Sequence, residues 1–407
     1  MSCAAGPENW SQHCVGISPN VQGYRCKYCW GVVERYSRTK QTIAARRLSV
    51  SSMLDVKKAH DIQRGWSLRA QIIVQDLFIE MLNRRSVRPP KFALVMCGSI
   101  QRKEACPFSD VDCFALVEKE EYVGIVKLAA QDTQNQLEVV GTYWEGEDSK
   151  GSAMRIYDGF HFCHGGLSPE KMCATPGGMI DYIDGESEAN SHTLDALGGT
   201  FVYGKRSLFE DFAERARVFK NENGPNSVKR KALESLSKYL EAENKDKPYR
   251  LEENKEFTII KDRLYRPAQQ VIKSVAQYYG IIDVETRTQL QKLAAQGHTS
   301  TQVNTFLDTY LNHVAKLRLK NHMKWGREYE IVYFKVPAQP KTEEAELIRQ
   351  KKFPLVEGAE KLEIQKLMYA SEAIRGLGNE FHRQKSKRGL LAYKKNPFMT
   401  NRPLEYV

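Results

Sequence analysis

The sequence predicts an α/β protein of the α+β kind: a small mixed sheet with helices on one side, followed by a helical bundle. Three observations predict it. Between Phe92 and Glu118 the chain reads FALVMCGSIQRKEACPFSDVDCFALVE, two apolar strand-like runs around a polar loop. Ahead of it, RGWSLRAQIIVQDLFIEMLNRR sets Trp66, Ala70, Ile73, Leu77 and Met81 at helical spacing. Behind it, residues 211–335 carry one helix-like run after another.

Taken in order, the first helix is expected to stop before Pro89 and Pro90, because proline pushes the residue before it out of the α region. The two apolar runs make a strand pair. NQLEVVGTYW (135–144) and AMRIYDGFHFC (153–163) read as further strands. TPGGMIDYIDG starts a short helix after Thr175, with Pro176 suited to its first turn. LFEDFAERARVF, SVKRKALESLSKYLEAEN, RPAQQVIKSVAQYYG, TRTQLQKLAAQ and TQVNTFLDTYLNHVAKLRLKNHMKWG are helical, VPAQPKTEE is a linker, and TEEAELIRQ and EGAEKLEIQKLMYASEAIRGLG return to helix. The organisation expected is a Cys-containing segment (1–45), a catalytic domain (46–210), a helical domain (211–335), and a linker with a C-terminal helical, basic tail (336–407).

Composition bounds the function classes. The 407 residues suit two or three domains of roughly 150 residues each. An apolar fraction of 41% is ordinary for a globular chain, and no run approaches the ~18 apolar residues of a membrane helix, so no transmembrane segment is expected. MSCAAGPENWSQHC lacks a basic region followed by an apolar one, so a secretory signal peptide is not expected. Nine cysteines without framework spacing point to reduced thiols and a cytoplasmic location. A net charge of +11 makes nucleic acid or an anionic surface a candidate partner.

The loop in the opening strand pair carries the chemistry. Gly98 lets backbone N–H groups approach a phosphate, and the Ser99 hydroxyl adds a donor. Eleven residues separate Gly98 from Asp110, and Ser109-Asp110-Val111-Asp112 leads into the second strand. Residues i and i+2 of a strand share a face, so Asp110 and Asp112 project together. Two neighbouring carboxylates repel unless a cation holds them, and a magnesium ion completed by triphosphate oxygens answers that need. The plain alternative is a surface hairpin with an acidic turn.

With these residues in place, the chain resembles the nucleotidyltransferase fold shared by DNA polymerase beta, glutamine synthetase adenylyltransferase and the PII uridylyltransferases. It looks most like the protein-AMPylating domains of bacterial effectors. CGSIQRKEACPFSDVDCFALVEKEE carries the likeness, with IYDGFHF…LSPEKMCATPGGMIDYIDGE and KDRLYRPAQQVIKSV as softer matches, over roughly residues 60–330. The resemblance implies that Gly98 and Ser99, with Ser109, hold the triphosphate and that Asp110 and Asp112 bind Mg2+ (or Mn2+). It puts Asp158 at the third carboxylate, as general base or metal ligand, with Arg102, Lys261 and Arg266 as phosphate or nucleotide contacts. Their plain readings are a strand-end turn residue for Asp158, a solvated helix residue for Arg102, and a residue before a helix-initiating proline for Arg266. The implied activity is transfer of AMP from ATP to a hydroxyl of a protein, plausibly a small GTPase, in a host cytosol reached without a cleaved signal peptide. The alternatives are an RNA or nucleotide-polymerising transferase, which suits the charge, and a small-molecule transferase of the antibiotic-modifying type.

Outside that region, Cys26 and Cys29 in CKYC stand at zinc-knuckle spacing, with Cys14 and His13 (or Cys3) upstream as the further ligands such a site would draw on. The alternative is reduced cysteines in a small aromatic cluster. HFCH, from His161 to His164, reads as a strand end, because His161 and Cys163 share a face that His164 does not.

Overall fold

The first helix follows from its apolar spacing. In the computed structural model, α1 (Ala59–Arg85) buries Ile62, Trp66, Ala70, Val74, Phe78, Met81 and Leu82. The buried stripe runs through Val74 and Phe78 rather than the expected Ile73 and Leu77, since steps of four from Trp66 and Ala70 keep to one face. Its last turn carries Arg84 and Arg85, which suit the negative end of the helix dipole, and it ends before Pro89 as expected. The structure describes residues 59–86, 88–107, 109, 111–142, 160–162, 173–185, 197–221, 228–245, 257–281, 283–325, 330–336 and 355–386. All belong to one compact unit within Ser49–Val407.

The two apolar runs form β1 (Phe92–Met96) and β2 (Val111–Val117), antiparallel, with Phe92 opposite Val117 and Met96 opposite Cys113. On the outer side of β2, β3 (Phe160–Phe162) runs parallel to it, with Val111 beside Phe160 and Asp112 beside His161. Further along β2, β4 (Cys173–Ala174) also pairs in parallel, at Ala115 and Leu116. On the other side of β1, β5 (Thr200–Gly204) is antiparallel, with a register shift at Leu94/Val95. The result is a mixed five-stranded sheet in the order β3-β2-β1-β5, with β4 on the flank of β2.

Helices cover both faces of this sheet, not one. Paired positions share a face, so Phe92 and Val117 look one way and Val95 and Phe114 the other. Phe78 of α1 packs edge-on against Phe92 at 5.2 Å. Phe212, from a helix after β5, packs edge-on against Phe114 at 5.6 Å. All five residues of β1 are buried, as a strand covered on both faces must be.

A second correction concerns 135–144. Residues up to 142 are not a strand but the end of α2 (Val123–Thr142). Val126, Ala129, Ala130 and Thr133 are buried at helical spacing, and Arg85 grips Asp132 through two bonds of 2.6 and 2.8 Å. The helix is thereby committed to packing beside α1 before the Val-Val pair, and strand propensity in a short run yields to that context.

Three helices follow in the sheet half and after it: α3 (Pro176–Gly185), α4 (Arg206–Asn221), which carries Phe212, and α5 (Val228–Lys245). Thr175 caps α3 by accepting the Gly178 N–H at 3.2 Å. A two-stranded antiparallel ribbon joins β6 (Phe257–Ile259) to β7 (Ile331–Tyr333), neither of which the helical reading of 211–335 anticipated. Between them lie a π-helical turn (Lys261–Tyr265), α6 (Arg266–Tyr278), α7 (Thr286–Ala295) and α8 (Thr301–Trp325), and α9 (Gly358–Ser386) closes the described chain. These helices share one apolar core, from Leu236 through Val271, Leu307 and Val314 to Ile374 and Phe381. A smaller cluster of Ala59, Ile62, Cys106, Ala315 and Leu319 joins α1 to α8. Among the described residues, no helix is long and apolar enough to cross a membrane.

Candidate functional site

β1 is followed by Cys97 and then Gly98, whose φ of +62° belongs to the left-handed region. Two constraints require glycine there. The conformation is one that side chains with a Cβ resist. A Cβ would also stand 2.0 Å from Oδ2 of Asp112, so the carboxylate lies against the glycine backbone. The register brings this about: the Cys97 N–H donates to the Asp112 carbonyl at 2.8 Å, extending the β1–β2 ladder by one rung. Asp112 lies on the Phe114 face, and Gly98 turns the chain across it.

Gly98–Gln101 forms a single helical turn that ends at Arg102, shorter than IQRKEA, and Lys103 then takes a φ of +59°. The Ser99 hydroxyl oxygen is buried and has no hydrogen-bond partner among the described residues. An unpartnered buried hydroxyl is a donor awaiting an acceptor.

Side chains from both halves of the fold hold the loop between Gly98 and Ser109. The Gln63 amide donates to the Glu104 carbonyl at 3.0 Å. The Ser67 hydroxyl accepts the Ala105 N–H at 3.2 Å while donating to Gln63 O at 2.8 Å. The Gln101 amide donates to Gly198 O. Ser109 exchanges two bonds with Cys106: its Oγ accepts the Cys106 N–H at 3.0 Å, and its own N–H donates to Cys106 O at 3.0 Å. Ser109 thus acts as the brace that starts β2.

Glu104, almost fully buried, is the hub of this loop. Arg102 Nε lies 3.2 Å from its carboxylate, and the Tyr265 hydroxyl donates to the same oxygen. Tyr265 comes from KDRLYRP, so that stretch of the helical half is pinned to the loop. Burial, and then the Glu104 charge, push the Tyr265 phenol well above its ordinary pKa, which keeps it a neutral donor. The Arg318 guanidinium lies 4.6 Å from the centre of the Tyr265 ring. The turn that carries Tyr265 is π-helical, and its carbonyls find outside donors: Tyr310 OH to Leu264 O and Ser371 Oγ to Arg263 O, each at 2.7 Å.

The sequence-derived residues therefore divide into three groups. Gly98, Ser99 and Asp112 meet at one turn, with Ser109 bracing the strand behind it. Arg102 is turned to Glu104, Lys261 opens the π-helical turn, and Arg266 pairs with Asp262 at 2.9 Å. Asp110, Asp158, Cys26, Cys29, Cys14, His13 and Cys3 lie outside the described residues. The strand that follows Asp158 is β3, parallel to β2. Sequence reasoning missed Glu104, Tyr265, Gln63 and Ser67. The one signal for Glu104 was a carboxylate after Arg-Lys in a loop between buried strands, and its partner Tyr265 is 161 residues away.

Of the three carboxylates the resemblance assigns to a metal, Asp112 alone lies among the described residues. Asp112 offers carboxylate oxygen at a turn whose glycine leaves room for nothing larger than a backbone N–H and whose serine hydroxyl is uncommitted. Among the described residues no group of three or more His, Cys, Asp or Glu side chains is arranged as a metal site. No protein-family model and no curated protein sequence matches this chain.

Proposed function

We propose that the chain is a metal-dependent nucleotidyltransferase that moves AMP from ATP onto a side-chain hydroxyl of a protein. The observation that supports it best is the Asp112 carboxylate packed on Gly98, in a turn whose Ser99 hydroxyl is buried without a hydrogen-bond partner among the described residues. In this reading the Gly98 turn and Ser99 receive the phosphate oxygens, and Asp112, with Asp110 and Asp158, holds the metal. Mg2+ held by these carboxylates would supply positive charge that lowers the cost of charge on the leaving group. The acceptor hydroxyl oxygen bonds to the α-phosphorus in line with the bond to pyrophosphate, which breaks. The hydroxyl proton passes to a carboxylate, for which Asp158 is the candidate by the resemblance. A rigid loop serves this chemistry, because in-line transfer depends on positioning. The ties from Gln63, Ser67 and Tyr265 supply that rigidity. A small GTPase remains the acceptor class that the resemblance favours.

One observation favours a second reading, nucleotide addition to RNA: the net charge of +11. A single experiment separates the two. The full chain is incubated with each α-labelled nucleoside triphosphate, Mg2+ and a cell lysate, and the product is treated with nuclease or protease. Label from ATP that survives nuclease and is lost to protease is expected. A nuclease-sensitive label would promote the RNA reading. No label with any triphosphate, or equal label from Asp112→Asn, would remove the transferase reading.

A further inference from the structure

The turn that opens at Gly98 closes in the manner of a helix C-terminus. The Lys103 N–H donates to Ile100 O at 3.1 Å, and the Glu104 N–H reaches back to Ser99 O at 2.8 Å. This pair of bonds is the Schellman arrangement, whose left-handed residue is usually glycine because a Cβ is resisted there. Lys103 holds that position at a φ of +59°, the one non-glycine residue at positive φ among the described residues. A side chain kept in so sparsely populated a conformation needs surroundings that fix it.

What the lysine reaches is the helical half. Lys103 Nζ pairs with Oε1 of Glu285, the residue that precedes α7. Each side chain is only 22% exposed, so water and salt screen the pair less than on an open surface. Glu285 is itself held: the Thr288 hydroxyl lies 3.5 Å from its Oε2, and its carbonyl accepts the Gln289 N–H at 2.9 Å. One residue on, Glu104 takes the Tyr265 hydroxyl. Two consecutive residues of the closure are therefore gripped by different segments of the helical half, α7 and the π-helical turn. Because the Glu104 N–H is bonded to Ser99 O, whatever fixes residues 103 and 104 also fixes Ser99.

We propose that Lys103 and Glu285 are positioning residues for the nucleotide: through their ion pair the helical half holds the turn from Gly98 to Glu104 in the shape that receives the triphosphate. The proposal rests on the nucleotide reading of that turn and adds the means by which the helical half acts on it. Neither side chain needs to touch the ligand. Glycine at position 103 would satisfy the backbone and lose the grip, which separates positioning from backbone preference.

Affinity for the nucleotide, not transfer, is the readout. The full chain is titrated calorimetrically, in the presence of Mg2+, with an ATP analogue whose α,β-bridging oxygen is replaced by methylene, so that no AMP can leave. Lys103→Gly and Glu285→Gln are each expected to bind it about tenfold more weakly than the parent, as a displaced phosphate contact would. The double variant should bind no more weakly than either single one, because both changes remove the same contact. Urea melts show that each variant is folded. A contact that served stability alone would move the urea midpoint and leave the affinity of the folded protein unchanged. If the parent binds and either single variant binds as tightly, or if the two losses add in the double variant, the proposal is overturned and the nucleotide reading stands. If the parent does not bind the analogue, both fall together.

Discussion

A single methyl group at Gly98 tests the candidate site's geometry. Gly98→Ala places a Cβ 2.0 Å from Asp112 Oδ2 and forces alanine to a φ of +62°. Each contributes to an expected loss of about 1–3 kcal/mol. The two causes separate in a cycle. Adding Asp112→Ala should restore the part due to collision and leave the part due to φ, as read from urea melts. At Gly204, where φ is +103° and the obstacle is the Phe92 carbonyl at 2.2 Å, no side-chain change can relieve the alanine. If the double variant recovers nothing, the carboxylate does not lie against Gly98. The glycine, the serine and the aspartate were all legible in the sequence, because a turn between buried strands needs φ freedom and two acids at i, i+2 share a face. The bracing role of Ser109 was not, because a hydroxyl three residues from Cys106 closes a local turn that leaves no periodic mark.

At the scale of elements, one link between the two halves of the fold runs through the π-helical turn and its last residue. Tyr265→Phe keeps the ring under Arg318 and removes only the hydroxyl that donates to Glu104. Among the described residues, Glu104 then retains Arg102 as its carboxylate's partner. The expected cost is ~1–3 kcal/mol, read as a lower urea midpoint with an unchanged slope, because a buried charged acceptor loses a partner while the exposed surface stays the same. A changed slope would mean that the halves have come apart, and no shift would mean that the bond carries no weight. The sequence showed KDRLYRP as a proline-started helix and α1, α6, α7 and α8 as helices, since period and breakers are local. It could not show that Tyr265 reaches Glu104, nor that Val139 and Val140 end a helix rather than form a strand. Both depend on what packs nearby, as do the short strands β5, β6 and β7, whose three to five residues carry too little pattern to stand out.

For the molecule as a whole, the helical half is organised around a buried ionic cluster that makes its stability depend on pH. Glu330, at the entry to β7, accepts from Arg318 at 2.9 and 2.7 Å and lies 2.9 Å from His322 Nε2. Burial opposes the charge on Glu330, but the Arg318 guanidinium and then His322 outweigh it, and the carboxyl is held far below its usual value of 4.5. A carboxyl with a depressed folded pKa contributes stability that is fully present above its unfolded value. That stability drains away as pH falls from about 4.5 toward the folded value. Glu330→Gln removes the titrating charge and leaves Arg318 buried without its counter-ion, for which a loss of about 3–5 kcal/mol is expected near pH 7. The gap between the parent and the variant should therefore be widest near neutral pH and close as pH is lowered below 4.5. Urea melts of both proteins at stepped pH values read it directly. A gap that stays constant through that range would show that the Glu330 charge is not what the cluster contributes, and that the packing of Arg318 over Tyr265 carries the effect instead.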